Sequence, residues 1–181
     1  MDKITDVSTI PVGVVGLGLM GCSISTCLVI AGHPVIAVAP LPIDLLQAEK
    51  RIQGHLIHSK EHGLINQPAD FYFKQLNITE DYNQLKDCQV IIECTLEEIE
   101  IKKLVYEKIE AVISNEAILA SNTSAIPISL LQKQTLHPHR FFGLHWAEPS
   151  HTTRFLEIIC GELSDPVKAE FLYALSHNWG K

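Results

Sequence analysis

Short β-branched apolar runs alternate along this chain with longer stretches whose apolar positions recur at helical spacing. Residues 11–16 form the first such run and predict a buried strand. Residues 19–31 predict a helix that Gly32 stops. Residues 35–39 predict a second strand. A long helix follows to about His62, with Asp44 as its cap and Gly63 behind it. Pro68 opens a short helix, and residues 76–79 and 89–94 predict the third and fourth strands. Residues 97–113 place Ile101, Leu104, Val105, Ile109 and Val112 near one helical face. Residues 117–120 predict a fifth strand, and residues 128–132 one or two helical turns. His137-Pro138-His139-Arg140 leads as a plain loop into a strand over 141–145. Another strand over 155–159 and a helix opened by Pro166, running to about His177, complete the pattern. Strand and helix alternate throughout, which predicts an α/β fold: a Rossmann-like, doubly wound, mostly parallel sheet with helices on both faces. No internal repeat, linker or low-complexity tract breaks residues 1–181, so the chain reads as one dinucleotide-binding domain.

Composition narrows the partners. The 181 residues are 46% hydrophobic and 19% charged, as in an ordinary globular core. Lys and Arg number 14 against 21 Asp and Glu, a net charge of −7, which argues against nucleic acid. The five cysteines, Cys22, Cys27, Cys88, Cys94 and Cys160, form no Cys-x-x-Cys pair and read as buried free thiols in a reducing compartment. The polar, acid-containing start Met1-Asp2-Lys3-Ile4-Thr5-Asp6 is read as neither signal nor transit peptide. No apolar run approaches the length of a membrane helix. Together these predict a cytoplasmic protein without a membrane partner.

Two places carry chemistry. Gly16-Leu17-Gly18-Leu19-Met20-Gly21 follows a predicted strand and opens a predicted helix, the context of a dinucleotide fingerprint. Gly16 permits the tight turn, Gly18 lets backbone approach a pyrophosphate, and Gly21 allows close packing of helix on strand. The helix N-terminus adds free N–H groups. A carboxylate usually ends the second strand to hold the adenosine ribose, yet this one ends Val38-Ala39-Pro40. No Arg or Lys follows before Lys50, so a 2′-phosphate is not invited. Asp44 replaces that carboxylate only if Pro40-Leu41-Pro42 bends back.

The second place is Ser124, His145 and Glu157. His145 ends an apolar strand, where an open α/β sheet places its ligand crevice. Adjacent strands can bring it to Glu157, whose carboxylate would set its tautomer and stabilise the imidazolium. Such a histidine can take the proton of an alcohol that loses hydride, and Ser124 can bond the same oxygen. Against this stand plainer roles: Ser124 as a helix cap, His145 as a core histidine, Glu157 as a solvated strand residue. His55, His58 and His62 share a predicted helix face, read as solvated rather than metal-binding. The acid cluster from Glu97 to Glu100 favours a helix N-terminus.

Over nearly all its length the chain resembles the NAD-binding domain of the L-3-hydroxyacyl-CoA dehydrogenases. The resemblance rests on the glycine turn, Val90-Ile91-Ile92-Glu93, the Glu97 to Lys102 segment, Asn122-Thr123-Ser124, Gly143-Leu144-His145 and Leu156-Glu157-Ile158-Ile159, in the family's order and spacing. It implies NAD as cofactor and an acyl-CoA as substrate. His145 would be the base, Glu157 its orienting partner and Ser124 a contact to the substrate oxygen. Gly16, Gly18, Leu19, Met20, Gly21, Glu97, Lys102 and Asn122 would line the cofactor. Three departures accompany it. Ala39 stands where the family has an acid, an expectation of altered cofactor affinity. His145-Trp146-Ala147-Glu148-Pro149 puts an acid where the family has an amide, and an inward Glu148 would raise the pKa of His145. The chain stops at Asn178-Trp179-Gly180-Lys181, before the family's helical dimerisation domain, so a monomer or weak homodimer is expected. The competing expectations are a non-catalytic nucleotide- or CoA-binding module and a related dehydrogenase of small hydroxy acids.

Overall fold

Seven strands form one sheet in the computed structural model, which describes residues 10–181. The reading of the first six residues lies outside that range. In chain order the strands are β1 (Val12–Val15), β2 (Val35–Val38), β3 (Leu76–Thr79), β4 (Val90–Glu93), β5 (Ile118–Ser121), β6 (Phe141–Trp146) and β7 (Leu156–Cys160). They lie in the order β3-β2-β1-β4-β5-β6-β7. All neighbours are parallel except β6 and β7, which pair antiparallel. The order reverses direction between β1 and β4, the switch point where open α/β sheets take ligands.

The helices are α1 (Leu19–Ile30), α2 (Pro42–Glu61), α3 (Ala69–Phe73), α4 (Ile99–Glu110), α5 (Ile128–Gln132) and α6 (Pro166–Asn178). Alternate strand residues feed two cores. Val12, Val14, Val90, Ile92, Ile118, Ala120, Phe142 and Leu144 pack with α1, α2 and α6 on one face. Val15, Ile91, Leu119 and Phe141 pack with Val105, Tyr106 and Ile109 of α4 on the other. Both faces being covered explains why these strands read as continuous apolar runs rather than alternating ones.

Several boundaries differ from expectation, each for a local reason. Asp44 does not cap α2. Leu41 is the extended cap residue, Pro42 opens the helix, and Asp44 sits in the first turn without a capping bond. Glu97 lies outside α4, which starts two residues later behind Glu98. Leu104, expected on the buried face, is exposed. Two 3₁₀ turns were not predicted. One spans Tyr82–Asp87 and is opened by the Asp81 carboxylate, which accepts from Asn83 N–H at 2.9 Å. The other spans Pro138–Arg140, in place of a plain loop. Gly32 ends α1 as expected, with φ +98°, and His33 N–H bonds back to Leu28 at 3.1 Å. Among the described residues no helix is long and apolar enough to cross a membrane.

The glycine turn yields a paired test of this packing. A Cβ on Gly21 would stand 1.8 Å from the Gly16 carbonyl oxygen, whereas one on Gly18 meets nothing within 4 Å. Gly21→Ala is expected to lower unfolding stability by about 1–3 kcal/mol, and Gly18→Ala to leave it within about 0.5 kcal/mol. Urea unfolding of both variants measures this; equal losses would contradict the close helix–strand approach.

Candidate active site

The carboxyl ends of β1, β4, β5 and β6 make one rim, and the residues singled out in the sequence stand along it. At β1 the chain turns through Gly16 with φ +98°, where a Cβ would also strike the Cys94 carbonyl oxygen at 2.7 Å. Only glycine suits both demands. Gly18 is the cap residue of α1 and offers no side chain to the first-turn amides. Those of Leu19, Met20 and Gly21 therefore face outward with the positive end of the helix dipole. Open space above Gly18 and uncapped amides beside it fit an approaching pyrophosphate.

At β6 the antiparallel register sets His145 directly opposite Glu157. His145 Nδ1 and Glu157 Oε2 are 2.6 Å apart, and His145 Nε2 lies 3.1 Å from Ser124 Oγ. An ionised carboxylate can only accept, so Nδ1 carries the hydrogen and Nε2 presents its lone pair toward Ser124. The Phe155 ring meets the imidazole edge-on, with centroids 5.9 Å apart. Ser124 is thus no helix cap: α5 begins behind Pro127. Asn122 holds the end of β6 by accepting from Trp146 N–H at 2.9 Å.

A buried carboxylate organises the middle of the rim. Glu93 ends β4 fully buried, and Lys102 of α4, equally buried, donates to both its oxygens at 2.9 and 3.0 Å. Tyr106 and Ser121 hydroxyls donate to Oε2 at 3.1 and 2.7 Å, and Thr95 N–H and hydroxyl to Oε1, both at 2.6 Å. Burial, with the Glu93 charge beside it, pushes the Tyr106 phenol far up, so it remains a donor. Lys102 was expected to touch the cofactor. Its side chain is instead enclosed between Glu93 and Glu97, 3.3 Å from the latter's Oε2, and supports the rim from beneath.

Glu97 reaches across to the loop after β5. Its Oε1 accepts from the Thr123 hydroxyl and from the N–H groups of Ser124 and Ala125 at 2.9 and 3.1 Å. Partial burial opposes its charge, but these bonds and Lys102 outweigh that and hold its pKa below the ordinary carboxylate value. Sequence reasoning missed Thr123, Ser121 and Tyr106; an ionisable residue closing the otherwise apolar β4 was the available signal.

Three expectations need correction. Glu148 does not point inward: it is exposed, and its charge is felt at Cys22 and His55. The histidine face of α2 is not uniformly solvated. His55 is half-buried, stacked on His151 from the loop after β6 with centroids 4.6 Å apart, and bonded to Thr26 at 3.3 Å. Burial first, then the charges of His55, His58 and Lys181, hold His151 down at about 4. The thiols are free, but Cys160 is exposed. Burial raises Cys22 and Cys27 to about 11 and Cys88 to about 12, leaving them protonated and unreactive. Among the described residues no group of three or more His, Cys, Asp or Glu is arranged to hold a metal ion.

Residues 11–181 match the family described as 3-hydroxyacyl-CoA dehydrogenase, NAD binding domain. The human peroxisomal bifunctional enzyme is 34% identical over 166 residues, covering 91% of this chain and 23% of that protein. The peroxisomal fatty acid beta-oxidation multifunctional protein of rice is 30% identical, with 90% and 23% covered. The chain thus spans about a quarter of the length of these curated relatives. Among solved structures, M. tuberculosis FadB2 is 31% identical with a TM-score of 0.88, covering 94% of this chain and 61% of that one. The 3-hydroxybutyryl-CoA dehydrogenase of Escherichia coli K12 is 26% identical with a TM-score of 0.89, covering 95% and 37%.

Two stability tests follow from the polar groups of the rim. Lys102→Met strands the Glu93 charge in the core and is expected to cost about 3–5 kcal/mol, while the double variant Glu93→Gln/Lys102→Met recovers part of the loss. Urea unfolding of both checks this, and a Lys102→Met protein as stable as the parent contradicts the buried pair. For His151, the unfolded chain with its ordinary value near 6.5 binds more protons than the folded one at about 4. Stability is therefore complete above pH 6.5 and falls as pH drops toward 4. His33 and His55, both lowered by burial, act in the same direction. The urea midpoint is expected to fall between pH 7 and pH 5, and more shallowly in His151→Asn.

Proposed function

The chain belongs to the 3-hydroxyacyl-CoA dehydrogenase family as its NAD-binding domain, and from that premise we propose that it oxidises an L-3-hydroxyacyl-CoA to the 3-ketoacyl-CoA. The observation that supports this reading is the Ser124–His145–Glu157 chain on the same rim as the glycine turn. From β1 to β6 is three strand spacings, about 14 Å, a span for a dinucleotide lying across the sheet from the turn toward His145. Gly16, Gly18 and the first-turn amides of α1 would hold NAD there, and it would supply the acceptor for the hydride of carbon 3.

In this reading His145 Nε2 takes the hydroxyl proton as the carbonyl forms, and the O–H electron pair becomes the new C=O bond. Glu157 holds Nδ1–H, which keeps the basic nitrogen toward the substrate and stabilises the imidazolium that results. Ser124, 3.1 Å from Nε2, stands where the substrate oxygen would be shared between hydroxyl and imidazole. Glu97 fixes the Ser124 loop by its backbone. The partners are an acyl-CoA and NAD, with no nucleic acid. The free thiols suit a reducing compartment such as the cytoplasm, while two relatives are named as peroxisomal. The chain by itself is proposed to be a monomer or a weak homodimer.

His145→Ala is expected to lower NADH production from 3-hydroxybutyryl-CoA by about 10²–10⁴-fold with NADH binding unchanged in calorimetry. A variant at full rate would refute His145 as the base. Loss of binding along with rate would show instead that the imidazole builds the pocket.

A further inference from the structure

Recognition of the adenosine ribose is the unsolved part of the cofactor seat. The usual place for its carboxylate is the residue after β2, which is Ala39, 1% exposed and apolar. A pocket of about 270 Å³ nevertheless opens beside the glycine turn, bounded by Gly16, Gly18, Leu41, Asp44, Leu96 and Ile101 among others. Among the described residues of its wall, Asp44 is the one that carries charge.

The local fold explains how it arrives there. Leu41 is extended ahead of Pro42, as a residue before proline must be, and α2 starts at the proline. Asp44 falls in the first turn, with no hydrogen bond to the helix amides from its side chain. It is oriented from the far side by Arg51, two helical turns on. Arg51 Nη1 lies 3.8 Å from Asp44 Oδ1 and donates to the Leu17 carbonyl within the glycine turn at 3.2 Å. Arg51 thus clips α2 to the turn and holds the carboxylate beside it. The Asp44 side chain is 20% exposed, open to a ligand yet partly withdrawn from water. Leu41 and Leu96, from two different connections, leave 52% and 61% of their surfaces exposed at this pocket. Two bare leucines around a carboxylate suit a planar base attached to a diol.

We infer that Asp44 is the ribose-reading carboxylate of this chain, accepting the hydroxyls of the adenosine half of NAD in place of the acid missing at Ala39, with Leu41 and Leu96 flanking the adenine. The assignment rests on the NAD-binding reading of the site. It also makes the pocket selective. A carboxylate accepts from both ribose hydroxyls but repels a 2′-phosphate. Arg51, which could otherwise attract that phosphate, is already engaged by Asp44 and by the Leu17 carbonyl.

The test titrates the parent chain and Asp44→Asn with NAD, NADP, 5′-AMP and nicotinamide mononucleotide by calorimetry, with urea unfolding alongside. Asp44→Asn is expected to weaken NAD and 5′-AMP by about 10–100-fold, the scale of hydrogen bonds to a charged group. Nicotinamide mononucleotide should be unaffected, and the preference for NAD over NADP should collapse. If the variant binds NAD and NADP as the parent does, the inference fails while the NAD reading stands. Equal weakening of all four ligands together with lower stability assigns Asp44 to the helix alone and also overturns it. A folded parent that binds no NAD overturns the cofactor reading and this inference with it.

Discussion

A carboxylate withdrawn from solvent governs this rim. Glu93 closes an apolar strand at the sheet's centre, where an ionised group is tolerated only if every lone pair is taken. Lys102, Tyr106, Ser121 and Thr95 take them, and in doing so tie β4 to α4, to β5 and to the connection next to the glycine turn. Lys102 then has a second partner in Glu97, and Glu97 fixes the backbone of the Ser124 loop. Ser124 meets His145, and His145 meets Glu157. One buried charge is thus linked, contact by contact, to His145 two strands away in the sheet and to Glu157 on the strand beyond it. Such an ion pair adds little net stability over an apolar replacement; what it contributes is a single arrangement of the groups around it.

The second constraint is topological. A parallel β6–β7 pair would need a long crossover and would run both carboxyl ends the same way. The antiparallel turn instead folds Glu157 back against His145 in direct register. A slip of one residue would send Glu157 to the other face of the sheet. The acid and the imidazole need no loop to bring them together, so their geometry inherits the rigidity of the ladder. The cofactor side is built differently, from a glycine turn and the first turn of a proline-started helix. There uncapped backbone amides and a first-turn carboxylate, Asp44, stand where the other end has hydrogen-bonded side chains.

What the residues alone determined follows from short-range chemistry. Apolar runs of four or five residues, glycines at fixed offsets and Pro68 and Pro166 near helix starts are local signals, and the doubly wound α/β order was legible from them. His145 and Glu157 were legible as a pair on adjacent strands, while the antiparallel register that sets them directly opposite came only with the fold. Other assignments depended on distant partners. Lys102, expected beside the cofactor, is instead enclosed by Glu93, nine residues away on a strand. His55 reads as a solvated helix residue until His151 stacks on it from the far end of the chain. Glu148 sits next to the base in sequence and turns its charge to α1 and α2 instead. Asp44 reads as a cap until Arg51 draws it toward the glycine turn. In each case sequence supplies the charge, and only the packed fold decides whether water, a counter-ion or a ligand meets it, because burial and proximity are properties of the assembled surfaces and not of the chain.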